Sequence, residues 1–75
     1  MVFRFSAHEL AQMTSRFQQL CPEFTRERAA LQARELADQI EEYPEIAAAY
    51  AGAAWEAVDQ EVDDWNRWAR EAKRK

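Results

Sequence analysis

The side chains best suited to nucleophilic chemistry are Cys21 and His8, the single cysteine and the single histidine of the chain. A cysteine nucleophile needs a base within hydrogen-bonding reach. The sequence predicts His8 in the first turn of a helix and Cys21 at its far end, about 20 Å away by helical rise. We therefore expect both to be structural, His8 as a polar residue near a helix start and Cys21 as a small apolar residue.

No other enzyme signature is visible in the sequence. Gly52 is the single glycine, so the chain has no glycine-rich loop that could hold a phosphate group. With a nucleophile and its base too far apart and no phosphate loop, nothing points to a bound coenzyme. We predict a protein that is not an enzyme and that uses no cofactor.

Carboxylates are the next candidates, because residues 35–64 carry ten acids and no lysine or arginine. On helices, six of these acids form two rows at spacings of three and four residues: Glu35, Asp38 and Glu42, and Glu56, Asp59 and Asp63. Helical di-metal sites use inward-pointing Glu-x-x-His pairs, and calcium loops use D-x-D-x-D-G spacing. The chain has neither pattern, so we expect no metal site.

The acidic block, residues 35–64, has two interpretations. Five bases and three acids precede it, and five bases and one acid follow it, so a net charge of −4 hides a strong asymmetry. In the first interpretation the block is a solvated surface that keeps an alanine-rich helix pair in solution. In the second, the two rows present negative charge to a basic groove of another protein, as a nucleic-acid backbone does.

In the second interpretation, the two acidic rows form the partner-binding site, and a neighbouring tryptophan supplies its apolar anchor. The set is Glu35, Asp38, Glu42, Trp55, Glu56, Asp59 and Asp63. The expected partner is a protein with a basic surface. Direct nucleic-acid binding is not expected, because the acidic block would repel the phosphates that the basic residues 65–75 attract.

Three helices are predicted to position these residues, over 6–20, 25–42 and 44–73. Ser6 and Glu9 form the S-x-x-E capping box of the first, and Thr25 is the expected N-cap of the second. Pro44 suits the first turn of the third. Apolar residues recur at helical spacing in each segment: Leu10, Met13, Phe17 and Leu20; Ala29, Ala33, Leu36, Ile40 and Tyr43; Ala47, Tyr50, Ala54, Val58, Trp65, Ala69 and Ala72.

Some apolar residues fall outside these stripes. Leu31 lies opposite the stripe of the second helix. It either makes a further contact within the fold or faces a partner. The three tryptophans, Trp55, Trp65 and Trp68, are spread over more than one face of the third helix. Because the first two helices are too short to cover the third, we expect part of this aromatic surface to face a second copy or another protein. A homodimer is compatible with the pattern.

The sequence thus predicts one all-α domain over 1–75, a three-helix bundle or hairpin with a long C-terminal helix. One cysteine, no signal-peptide pattern and no membrane-length apolar run favour a cytoplasmic protein. The predicted function is a small acidic interaction module, an inhibitor that binds a basic surface of a nucleic-acid-handling protein. The alternative is a structural homo-oligomer with no inhibitory role. In size, acidity and helical character, the chain resembles small inhibitors of phages and mobile elements, including anti-CRISPR proteins and some antitoxins. That resemblance covers no motif and assigns no residues.

Overall fold

The computed structural model describes residues 3–73, which form four α-helices: α1 (Ala7–Leu20), α2 (Arg26–Glu41), α3 (Pro44–Ala49) and α4 (Trp55–Lys73). Within that range the chain contains no β-strand, so the predicted all-α class is confirmed. Helix α1 packs against both α2 and α4, and α3 packs against α2. No helix among these residues is long and apolar enough to cross a membrane.

The start of α1 has the capping box that the sequence predicts. The Glu9 backbone N–H donates to the Ser6 hydroxyl at 3.1 Å, and the Ser6 backbone N–H donates to the Glu9 carboxylate at 3.0 Å. Phe5, just before the cap, is buried, and its backbone N–H donates to Glu41 at 2.9 Å. The cap therefore fixes the start of α1, and the hydrogen bond to Glu41 holds the preceding segment against α2.

The next two helices also begin where local chemistry predicts. Thr25 caps α2 by accepting a hydrogen bond from the Arg28 backbone N–H at 3.1 Å. Pro44 occupies the first turn of α3, where its missing N–H costs nothing and its fixed φ already suits a helix. Cys21 ends α1, as expected for a residue before a proline.

The predicted continuous helix over 44–73 is wrong, because the chain breaks between α3 and α4. Gly52 has a φ of 84°, a left-handed conformation that glycine adopts without steric cost. The Ala53 N–H donates to the Tyr50 carbonyl at 3.0 Å and closes a turn around Gly52. A Cβ at Gly52 would meet open space, so the glycine is required by the backbone conformation and not by a close contact. The break allows the six-residue α3 to pack against α2.

The core is narrow and rich in alanine. Of its thirteen buried hydrophobic residues within 3–73, six are alanines, and the largest fully buried side chains are Phe17, Met13 and Val58. The ring of Phe17 stacks on that of Trp65 at a centroid distance of 5.9 Å. The predicted stripes are therefore confirmed at their centres. They are wrong at three ends, where Leu20, Tyr43, and Ala69 with Ala72 are exposed.

Helix α4 extends beyond the helices that cover it. Every residue from 66 to 73 is exposed, and we call this segment the C-terminal overhang. The molecule is correspondingly long and flat, with Cα extents of 43 × 26 × 16 Å. The sequence prediction that the first two helices cannot cover the whole C-terminal helix is confirmed for this segment.

The capping box gives a first testable prediction. We expect Ser6→Ala to lower the free energy of unfolding by about 1 kcal/mol, because it leaves a helix N–H without its side-chain acceptor. Urea denaturation at pH 7, followed by far-UV circular dichroism, measures the change. Ser15→Ala, on the exposed middle of α1, is the matched control and should alter stability far less.

Glu9 adds a pH dependence to this cap. The hydrogen bond from the Ser6 backbone N–H holds the pKa of Glu9 below its ordinary value of 4.5. A carboxyl group with a lowered folded-state pKa stabilises the fold above its unfolded pKa, and this contribution is lost as the pH falls through the folded value. The stability deficit of Glu9→Gln should therefore be present at pH 7 and shrink below pH 4.5. A deficit independent of pH would contradict the charge-assisted cap.

Candidate functional site

The predicted acidic row on α2 lies on the surface. Glu35, Asp38 and Glu42 are all exposed, on the side of α2 opposite the buried Ala33 and Leu36. Asp38 lies 3.7 Å from Arg34 in a salt bridge that is itself exposed, and such pairs neutralise little charge in water. The row therefore presents negative charge to solvent from a rigid helix.

The predicted row on α4 is divided by the fold. Glu56 and Asp63 are exposed, but Asp59 is half-buried and accepts two hydrogen bonds from Arg16 of α1. The second of these joins Arg16 Nη2 to Asp59 Oδ2 at 3.1 Å, which makes the pair bidentate. The hydrogen bonds to Asp59 raise the pKa of the Arg16 guanidinium above its ordinary value. Asp59 thus joins α1 to α4, while Glu56 and Asp63 keep their charge accessible.

The two rows lie on outer faces of different helices. In each helix the acids stand opposite the residues that pack into the common core, such as Leu36 on α2 and Val58 on α4. The structure therefore does not gather the six predicted carboxylates into one patch. It offers two separate acidic faces, one on α2 and one on α4.

Trp55 lies at the end of a shallow groove between α1 and α4, which we call the Trp55 groove. Its volume is about 500 Å³, and its lining residues are His8, Ala11, Gln12, Ser15, Arg16, Gln19 and Trp55. Trp55 is 37% exposed and directly precedes the exposed Glu56. The indole therefore stands beside the α4 acids, as expected for an anchor at the edge of a charged contact.

A second groove contains residues that the sequence prediction missed, and we call it the Tyr43 groove. It lies where α2, α3 and α4 meet, has a volume of about 240 Å³, and is lined by Leu36, Gln39, Ile40, Tyr43, Ile46, Tyr50, Ala57, Gln60, Glu61 and Asp64. Tyr43 is 60% exposed and Ile46 50%. The signal in the sequence was Ile46, an apolar residue next to the predicted stripe of the third helix but not part of it. Ile46 lines this groove because the break at Gly52 allows α3 to pack against α2.

The structure places the candidate nucleophile and its base at opposite ends of α1. His8 is exposed and lies 3.3 Å from the Gln12 amide, whereas Cys21 is buried at the other end of α1. Burial raises the pKa of the Cys21 thiol, and the nearby Glu23 carboxylate adds to this effect, so the reactive thiolate is disfavoured. In the same range, no three His, Cys, Asp or Glu side chains come close enough together to hold a metal ion.

Comparisons with protein-family models, curated proteins and solved structures give no match to this chain. The protein's own surface is therefore the guide to its function. The features that stand out on it are the two acidic faces, the two grooves and the C-terminal overhang.

Proposed function

We propose that the protein is a non-enzymatic binding module whose acidic helix faces bind a basic surface of another protein. The observation that carries this proposal is the lack of internal compensation for the acidic block. Within residues 3–73, salt bridges engage only two of its ten acids, Asp38 and Asp59. The remaining charge is available to a partner.

Glu42 illustrates why a solvated surface alone is an incomplete explanation. It follows the last residue of α2, whose final turn contains no base. Carboxylates are unfavourable at this end of a helix, where the macrodipole is negative. Glu41 beside it is compensated by the Phe5 N–H, but neither salt bridge within residues 3–73 includes Glu42. A basic partner would supply the missing compensation.

The most specific form of the proposal is an inhibitor that occupies the nucleic-acid-binding groove of its partner. Acids fixed on rigid helices present charge at regular intervals, as a phosphate backbone does. Complementary potentials increase the association rate and fix the orientation of the complex more than they increase affinity. Trp55, beside Glu56, would supply apolar contact area and slow dissociation.

Charge reversal tests the proposal and compares the two faces. Glu56→Lys with Asp63→Lys should slow association with the partner at least tenfold, because both side chains are exposed and steering depends on their charge. Asp59 is left unchanged, because its loss would also break the contact with Arg16. Glu35→Lys with Asp38→Lys examines the α2 face in the same way. Glu23→Lys with Glu27→Lys changes the net charge equally outside the acidic block and is the matched control.

The partner is first isolated from the native host with the tagged protein, and its association rate is then measured at increasing salt. Binding should weaken between about 0.05 and 0.5 M salt, because exposed charges are screened beyond roughly 10 Å at 0.1 M. DNA and RNA binding by the partner is then measured with the protein at saturation. If nucleic-acid binding is unaffected, groove blocking is wrong. If the control variant slows association as much as the others, the acidic faces are not the binding sites.

A further inference from the structure

The C-terminal overhang is an amphipathic helix without a covering neighbour. Its eight residues extend about 12 Å at 1.5 Å per residue. Trp65, Trp68, Ala69 and Ala72 follow one another at helical spacing on one side of α4. Trp65 still contacts the core through Phe17, whereas Trp68 is 72% exposed. The apolar stripe of α4 therefore continues past the point where the protein's own core ends.

Charge divides α4 into two halves of opposite sign. Residues 55–64 carry five acids and no base, whereas residues 65–73 carry three bases and one acid. Two such helices in antiparallel contact would bring the acidic half of each against the basic half of the other. Parallel contact would bring like charges together, which is unfavourable.

The Tyr43 groove combines apolar walls with acidic residues, which suits the apolar and basic residues of the C-terminal overhang. Its walls are apolar, with Ile46 and Tyr43 half or more exposed, and Glu61 and Asp64 line its α4 side. Glu61, Asp64 and Trp68 follow at spacings of three and four residues, so Trp68 lies on the same side of α4 as the groove. The C-terminal overhang cannot reach the groove of its own chain. Helix α4 carries Glu61 and Asp64 in the groove and then continues away from the groove into the overhang.

We propose that the occupant of the Tyr43 groove is the C-terminal overhang of a second copy, in a symmetric dimer with antiparallel α4 helices. Each copy contributes one groove and one overhang, as a two-fold interface requires. Trp68 of each copy enters the groove of the other, and Arg67 beside it meets Glu61 and Asp64 of the other copy. The dimer contact buries Trp68, the most exposed tryptophan, in both copies. It also adds buried apolar area to a protein with a small core.

The dimer does not depend on the proposed function. It uses Trp68, Ile46, Glu61 and Asp64, whereas binding of a basic partner is assigned to the outer faces of α2 and α4. Sedimentation of the purified protein alone therefore tests it, and no partner is needed.

Trp68→Ala is the first variant, and sedimentation velocity over about 1 to 200 µM is the measurement, a range that brackets dissociation constants in the micromolar range. We expect the wild type to dimerise and Trp68→Ala to raise the dissociation constant at least tenfold. The far-UV spectrum of the dilute variant should stay unchanged, because Trp68 is exposed within one copy. Leu31→Ala removes another exposed apolar side chain, 57% accessible, from the far face of α2 and is the matched control.

Charge reversal tests the groove itself. Glu61→Lys with Asp64→Lys should also weaken the dimer at least tenfold, because it places bases opposite the basic overhang. Adding Arg67→Glu to the same chain should restore part of the association, since its charge again attracts the reversed groove, whereas Arg70→Glu, two residues from Trp68 and on the opposite side of α4, should restore none. A wild type that stays monomeric throughout the concentration range overturns the proposal. A dimer that Trp68→Ala or the groove reversal leaves unchanged also overturns the proposal. The same holds if the groove reversal abolishes self-association and the charge-swapped variant, although folded, does not restore it.

Discussion

Phe17→Ala should leave the protein largely unfolded at room temperature. Phe17, on α1, is fully buried, with its ring stacked on Trp65 of α4 at 5.9 Å and tilted against Phe24, just before α2, at 6.3 Å. Removing a buried phenylalanine costs about 3–5 kcal/mol in transfer and cavity terms. A single core of this size rarely provides more than about 3–5 kcal/mol in total, so the loss is comparable to the whole stability.

Thermal and urea unfolding, both followed by far-UV circular dichroism, measure this effect. Phe17→Leu is the control, because it keeps an apolar side chain in the same place and should retain a cooperative transition at lower stability. Six of the thirteen core residues are alanines, so few neighbouring side chains are large enough to move into the cavity. A Phe17→Ala variant that melts cooperatively within a few degrees of the wild type would contradict the central place of Phe17 in the core.

Gly52→Ala should destabilise the protein by about 1–2 kcal/mol, the cost of a left-handed conformation for a residue with a Cβ. The φ of 84° requires that conformation, and the added methyl group would meet open space. The cost is therefore backbone strain and not a clash. Gly52→Asn is the matched control and should lose less, because asparagine tolerates the left-handed region better than alanine.

The opposite result at Gly52 would be equally informative. Gly→Ala at a position that is truly helical stabilises a protein, by about 0.4–1 kcal/mol, through the unfolded chain. A more stable Gly52→Ala variant with higher helical ellipticity would mean that residues 44–73 form the continuous helix that apolar periodicity predicts. Urea denaturation and the far-UV spectrum of the same samples decide between the two structures.

The class of the fold and the starts of three helices can be predicted from the residues alone. Ser6, Thr25 and Pro44 act within three or four residues of the backbone they cap, so their effect does not depend on what packs nearby. Apolar spacing likewise identified the buried faces around Phe17 and Leu36, because helical geometry alone places those residues on one side. It also identified the outer faces of α2 and α4 that carry the acids.

Which charges are compensated, and where the long helix breaks, depends on how the helices pack against one another. Asp59 is joined to Arg16, 43 positions away, and Glu41 to the Phe5 backbone, 36 positions away. Such pairs form only where two particular helix faces meet. The spacing of residues along one helix does not predict which other segment packs against it. A lone Gly52 is tolerated inside a helix at about 1 kcal/mol, so its presence left both conformations open. Packing of α3 against α2 favours the break, and the same packing forms the Tyr43 groove.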